Sequence, residues 1–138
     1  MNSQKVSFVC LHGSAKSLIA AEYFNRVARE KVLPLSATTS GPEPDAEVPA
    51  NVVEGMKQRG IDVSHYRPAL ISAAKLETAD LIVSFACPAG RQLAPGKPEE
   101  RWDECPAVSE NFDVAWDFIT RHVEALVARL AVTEARTP

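Results

Sequence analysis

Short, nearly continuous apolar runs alternate along this chain with segments whose apolar residues recur every third and fourth position. That alternation constrains the fold most tightly, because such runs suit strands buried on both faces and such spacings suit helices laid against them. Lys5 to Cys10, with Val6, Phe8 and Val9 apolar, reads as a first strand, stopped by the small and polar Leu11-His12-Gly13-Ser14. From Ala15 to Val32, the spacing of Ile19, Ala20, Tyr23, Phe24, Val27 and Ala28 predicts a helix. Leu33 to Thr39 reads as a second strand, closed by the turn-rich Ser40-Gly41-Pro42-Glu43-Pro44-Asp45. Pro49 opens a helix through Val52, Val53 and Met56 that ends at Gly60. Ile61 to Arg67 is loop or a short extended piece, Ala69 to Leu76 a brief helix, and Ala79 to Ala86 the clearest buried strand. Pro88 to Pro98 is a loop with at most one helical turn around Arg91-Gln92-Leu93, and Glu100 to Asp103 a last short strand. Phe112, Trp116, Ile119, Val123, Leu126 and Leu130 mark one face of a long helix, with residues 133–138 a frayed tail. The expected architecture is α/β: a single domain over residues 1–132, three-layered, with a small four-stranded parallel sheet between helices.

With 138 residues, 46% hydrophobic and 24% charged, the chain is long enough to bury one core and too short for two. Fifteen Lys and Arg against 18 Asp and Glu give a net charge of −3 without a like-charge run, so neither nucleic acid nor membrane is expected as a partner. No apolar stretch approaches the roughly 20 residues of a membrane span, and Met1 to Lys5 lacks the build of a signal peptide. A cytoplasmic location is the expectation. The three cysteines, Cys10, Cys87 and Cys105, are odd in number and widely spaced, which fits neither a disulfide framework nor a paired zinc knuckle.

Ligands of open parallel sheets bind at the carboxyl ends of the strands, and Cys10 falls there, just before the first helix. The stretch Cys10-Leu11-His12-Gly13-Ser14-Ala15-Lys16-Ser17 therefore sets a thiol at one end of a tight loop and a Lys-Ser pair at the start of a helix. Backbone N–H groups of Leu11, His12, Gly13, Ser14, Ala15 and Lys16 lack internal partners in such a loop and converge on a tetrahedral oxyanion, aided by the helix dipole. The same field favours the thiolate of a cysteine placed as Cys10 is, and hence a nucleophile.

Val6 to Ser17 resembles the phosphate loop of the low-molecular-weight protein tyrosine phosphatase superfamily, which includes the thioredoxin-coupled arsenate reductases. That loop reads Cys, five residues, Arg, then Ser or Thr. Further likeness lies in Thr39-Ser40-Gly41-Pro42-Glu43-Pro44, in Gly60-Ile61-Asp62-Val63-Ser64 with Arg67-Pro68, and in Ala79-Asp80-Leu81-Ile82-Val83, nearest to the arsenate reductase branch. The resemblance implies in-line attack by Cys10 on phosphate or arsenate, with Ser17 hydrogen-bonded to the thiolate. It implies no cofactor, beyond an external thiol reductant of the thioredoxin type for arsenate reduction.

The chain departs from that pattern at informative places. Lys16 stands where Arg is expected and supplies charge without a bidentate fork. Gly13 replaces the usual Asn, and Ala15 a second loop cysteine. Cys105, before Pro106, takes the place of the acidic general acid, with Asp103 and Glu104 out of register. Cys87 falls one residue beyond a redox cysteine of the arsenate reductases, so Cys87 and Cys105 are candidate redox partners of Cys10. His12 reads as a rim residue or an aid to the thiolate; His65 and Tyr66 lie in a loop that borders the family's site.

The leading expectation is a cysteine-nucleophile phosphatase or arsenate reductase-like protein of altered or weak activity. Its partners would be phosphate, sulfate or an arsenate-like anion, a phosphoprotein, or a thioredoxin-type reductant. The alternative is a non-catalytic relative that binds an oxyanion or phosphoprotein in the same loop. A third reading is a thiol redox or soft-metal site built from Cys10, Cys87 and Cys105 with His12.

Overall fold

In the computed structural model, which describes residues 3–135, every expected strand and helix forms. The elements are β1 (Gln4–Val9), α1 (Lys16–Glu30), β2 (Leu35–Ser40), α2 (Ala50–Gln58), α3 (Ala73–Glu77), β3 (Leu81–Ser84), α4 (Ala89–Leu93), β4 (Glu99–Arg101) and α5 (Phe112–Ala135). The four strands make one parallel sheet in the order β2-β1-β3-β4, with Val6 opposite Ala37 on one side and Leu81 on the other. The chain leaves β1 for β2 on one side and returns to its other side for β3. Strand order thus reverses at β1, and the crevice beyond its carboxyl end, where Cys10 sits, is the topological switch point.

Residues alternate between the faces of β1, and each face has its own core. Val6 and Phe8 join Leu18, Ile19 and Phe24 of α1, Val52 and Met56 of α2, and Ile119, Val123 and Leu126 of α5. Val9 on the opposite face joins Leu76 of α3, Ile82, Cys87 and Ala89 of α4. Helices α1, α2 and α5 therefore cover one face, and the short α3 and α4 the other. Trp102 locks the first layer to the sheet, its ring 5.6 Å from that of Phe8 and 5.7 Å from that of Phe85.

Several boundaries differ from the sequence expectation for local reasons. Helix α3 starts at Ala73 rather than Ala69, because Ser72 caps it by accepting the Lys75 N–H. The residues before it are instead drawn to Gly41: the Gly41 N–H donates to Ala69 O and the Ile71 N–H to Gly41 O. Strand β3 is shorter than Ala79 to Ala86, since the Ala79 N–H closes α3 on Leu76 O and Ala86 turns to φ +52°. Strand β4 begins at Glu99 and stops at Arg101. Helix α5 continues through Ala135, past the expected start of a frayed tail at Thr133, while residues 136–138 lie outside the described residues. Among the described residues no helix is long and apolar enough to cross a membrane.

Candidate functional site

The loop of residues 11–15 links β1 to α1 and rests on the segment that follows β2. Gly41 lets the two meet: a Cβ there would lie 2.3 Å from Cys10 O and 2.7 Å from both Gly13 N and Leu11 O. Gly13 itself has φ +60°, a conformation that glycine adopts without strain. From Gly41 the chain runs alongside the loop, the Glu43 N–H donating to Leu11 O and the Asp45 N–H to His12 O. Ser14 Oγ donates to Asp45 Oδ2 at 2.5 Å, and the ring of His12 meets Glu43 O through Nδ1 at 2.8 Å. The turn Ser40 to Asp45 is therefore a clamp on the loop.

Clamped in this way, the N–H groups of Leu11, His12, Gly13, Ser14 and Ala15 donate to no backbone acceptor among the described residues. Helix α1 also begins without help: Ala15 at its N-cap offers no side-chain hydrogen bond, and its first turn holds no acidic residue. Unfilled donors and an uncompensated helix dipole meet at one spot, which is the electrostatic requirement for holding an anion.

Cys10 is buried at the base of the loop, its Sγ 3.0 Å from Ser17 Oγ in the first turn of α1. Thr39 Oγ1, on β2, donates to the same Ser17 Oγ at 2.6 Å. The Cys10–Ser17 bond can run in either direction; when Cys10 is a thiolate, which can only accept, Ser17 is the donor. Cys10, Leu11, His12, Ser14, Ala15 and Lys16 line a cavity of about 300 Å³, closed on its other sides by Asp45, Pro49, Phe85 and Ala107-Val108-Ser109. Size does not locate this site, since a cavity of about 620 Å³ between α1, β2 and α3 is lined by no cysteine.

The structure gathers some of the expected residues and separates others. Cys10, Lys16, Ser17 and the loop residues come together. Cys105 packs in the same layer as Cys10, but it does not line the cavity, and its thiol points to Pro106 O at 3.5 Å. Burial pushes that thiol up to about 11, against the pull of the Lys16 ammonium and with the charge of Cys10 adding to the rise. Cys87 lies beyond β3 as expected, yet it is buried in the other layer, so the grouping of all three thiols at one site is corrected. The chain after β3 turns Cys87 into the apolar cluster on the far face of the sheet, with Val9 and Ile82. Among the described residues no cluster of three or more Cys, His, Asp or Glu is placed to hold a metal ion.

Asp103 is fixed elsewhere, accepting the Ala86 N–H at 2.8 Å and pairing with Arg101 at 3.3 Å. His65 is exposed and lines neither cavity. Tyr66 borders the larger cavity and donates to Thr39 O at 3.3 Å, its hydroxyl made harder to ionise mainly by burial. Thr39 and Asp45 are the site residues that residue type does not single out. Their only signal is the stretch Thr39 to Asp45, which reads as a strand end and turn.

A sequence profile of the family described as low molecular weight phosphotyrosine protein phosphatase matches residues 5–102. A Halobacterium salinarum protein provisionally named an arsenate reductase is 28% identical over 88 residues, 62% of this chain, and the match spans 62% of that relative's length. Among solved structures, YfkJ from Bacillus subtilis superposes with a TM-score of 0.83 at 19% identity, covering 99% of both chains. Wzb from Vibrio vulnificus, solved in complex with benzylphosphonate, does so with a TM-score of 0.77 at 17% identity, covering 93% of this chain and 99% of that one. With the profile spanning most of the chain and the loop of Cys10 to Ser17 inside it, the protein belongs to the low molecular weight phosphotyrosine protein phosphatase family.

Proposed function

We propose that the protein is a cysteine-dependent phosphatase that cleaves phosphate monoesters through a covalent intermediate on Cys10. One observation carries this reading: the hydrogen-bonded series Thr39 to Ser17 to Cys10 Sγ ends at the floor of a loop whose N–H groups are undonated. Such a loop binds the equatorial oxygens of a transferring phosphoryl group while the thiolate attacks in line. Lys16 supplies the one cationic side chain fixed in charge along this cavity. As a point charge it binds the anion well and matches the planar transition state less well than a guanidinium, so turnover is slow. An arsenate reductase of this family would need a second thiol to take over the sulfur of the first. Here Cys87 lies in the other layer and Cys105 is held protonated, which favours hydrolysis over thiol relay.

Turnover of a small aryl phosphate by fully reduced protein tests the reading. Cys10→Ser abolishes it, and Lys16→Arg raises kcat/KM by about tenfold, the worth of one added charge-assisted hydrogen bond in the transition state. Turnover that survives in Cys10→Ser contradicts the proposal. A second reading, an oxyanion-binding relative without catalysis, draws on Lys16 and on the absence of an acidic residue at position 105. It predicts that phosphate or sulfate protects the chain from unfolding while neither wild type nor Lys16→Arg turns over. Arsenate as the substrate anion, or a thioredoxin-type protein as reductant, would show as arsenite formation that requires added thiol and Cys10.

A further inference from the structure

Phosphate monoester cleavage by the route proposed above, on which this inference rests, needs a proton for the departing oxygen. None of the three late residues near the expected acid position supplies it. Cys105 is turned to Pro106 O behind the cavity, Asp103 is bound to the Ala86 N–H and Arg101, and Glu104 is not among the cavity's lining. The titratable residues that line the cavity are Cys10, His12, Lys16 and Asp45. Cys10 is the nucleophile, and Lys16 is needed as a charge. Asp45 is committed as an acceptor, taking the Ser14 hydroxyl proton at 2.5 Å.

His12 remains, and its surroundings fix both its orientation and its tautomer. Its Nδ1 lies 2.8 Å from the carbonyl oxygen of Glu43, which can only accept, so Nδ1 carries a hydrogen. The ring's exchangeable proton therefore belongs to Nε2, on the side away from that bond. Asp45 Oδ1 lies 3.7 Å from Nδ1, and Lys16 lines the same cavity. The side chain is half exposed, at 49%, so water can reach the ring.

We propose that His12 is the general acid of this site, donating its Nε2 proton to the leaving oxygen, with Asp45 and the Glu43 carbonyl as positioning groups. In the first step the Cys10 sulfur forms a bond to phosphorus and the ester P–O bond breaks. The oxygen leaves with the bonding pair and takes the Nε2 proton, giving an alcohol and a neutral imidazole. In the second step water attacks phosphorus, the neutral Nε2 accepts its proton, and the S–P bond breaks to return the thiolate. Imidazolium and thiolate are regenerated together with phosphate.

The test compares 4-nitrophenyl phosphate, whose leaving group needs little protonation, with phenyl phosphate, whose leaving group needs much. His12→Asn lowers kcat/KM for phenyl phosphate about tenfold or more beyond its effect on 4-nitrophenyl phosphate, the lower part of the range for general acid catalysis. In the wild type the ratio of phenyl to 4-nitrophenyl turnover also falls as pH rises through the imidazole range, a readout that needs no variant. Asp45→Asn moves the ratio the same way by less. A ratio unchanged in His12→Asn, or flat with pH in the wild type, overturns the assignment and leaves the phosphatase reading standing. Absence of Cys10-dependent turnover on both esters overturns the phosphatase reading and this inference with it.

Discussion

At the scale of single residues, the site is a set of hydrogen bonds that each leave one proton or lone pair committed. Thr39 donates to the Ser17 hydroxyl, Ser17 in turn bonds the Cys10 sulfur, and Asp45 ties Ser14 to the clamp. Cys105 shows the opposite case, a thiol held neutral by burial. Its ordinary value of 9.0 rises to about 11 in the folded chain. Between those values the unfolded chain releases a proton that the folded chain keeps, so stability falls as pH rises across that window and is unaffected below it. The midpoint of urea unfolding, followed from pH 8 to pH 11, therefore drops more steeply for wild type than for Cys105→Ala. Parallel profiles would contradict the burial assigned to that thiol.

At the scale of elements, the site depends on two segments far apart in sequence meeting without a side chain between them. Gly41→Ala puts a Cβ against three backbone atoms that have no rotamer to yield, so the segment after β2 must lift from the loop. The expected cost is about 2 kcal/mol of stability, and the misplaced loop lowers Cys10-dependent turnover by about a hundredfold. Urea unfolding and aryl phosphate turnover of Gly41→Ala check both; a variant as stable and active as wild type would show that the clamp is not needed. This meeting also explains what was legible in the sequence. Strand β1, helix α1 and helix α5 were, because their apolar periodicity is local. So was the loop of Cys10 to Ser17, because it lies within one strand-to-helix turn. The clamp was not, since Ser14 to Asp45 and His12 to Glu43 are contacts between residues 31 apart. The start of α3 was misjudged for the same reason: the backbone of Ala69 and Ile71 is spent on Gly41, a partner that helical spacing does not reveal.

At the scale of the whole molecule, the sheet decides which groups can cooperate. Parallel order β2-β1-β3-β4 puts the carboxyl end of β1 at the switch point and leaves room there for the Cys10 to Ser17 loop. The thiols divide between the sheet's two faces, Cys10 and Cys105 in the layer of α1 and α5, and Cys87 in the layer of α3 and α4. Counting cysteines in the sequence could not make that division, which depends on the side of the sheet each thiol reaches. The account reduces to one claim, that the thiolate at the switch point takes a phosphoryl group. Rapid mixing of excess 4-nitrophenyl phosphate with reduced protein, followed by acid quench and mass analysis of the peptide holding Cys10, tests it directly. The account predicts a burst of one nitrophenolate per chain and a phosphoryl adduct on Cys10 that is absent from Cys10→Ser. Nitrophenolate release with no adduct on Cys10, or an adduct that persists in Cys10→Ser, would contradict it.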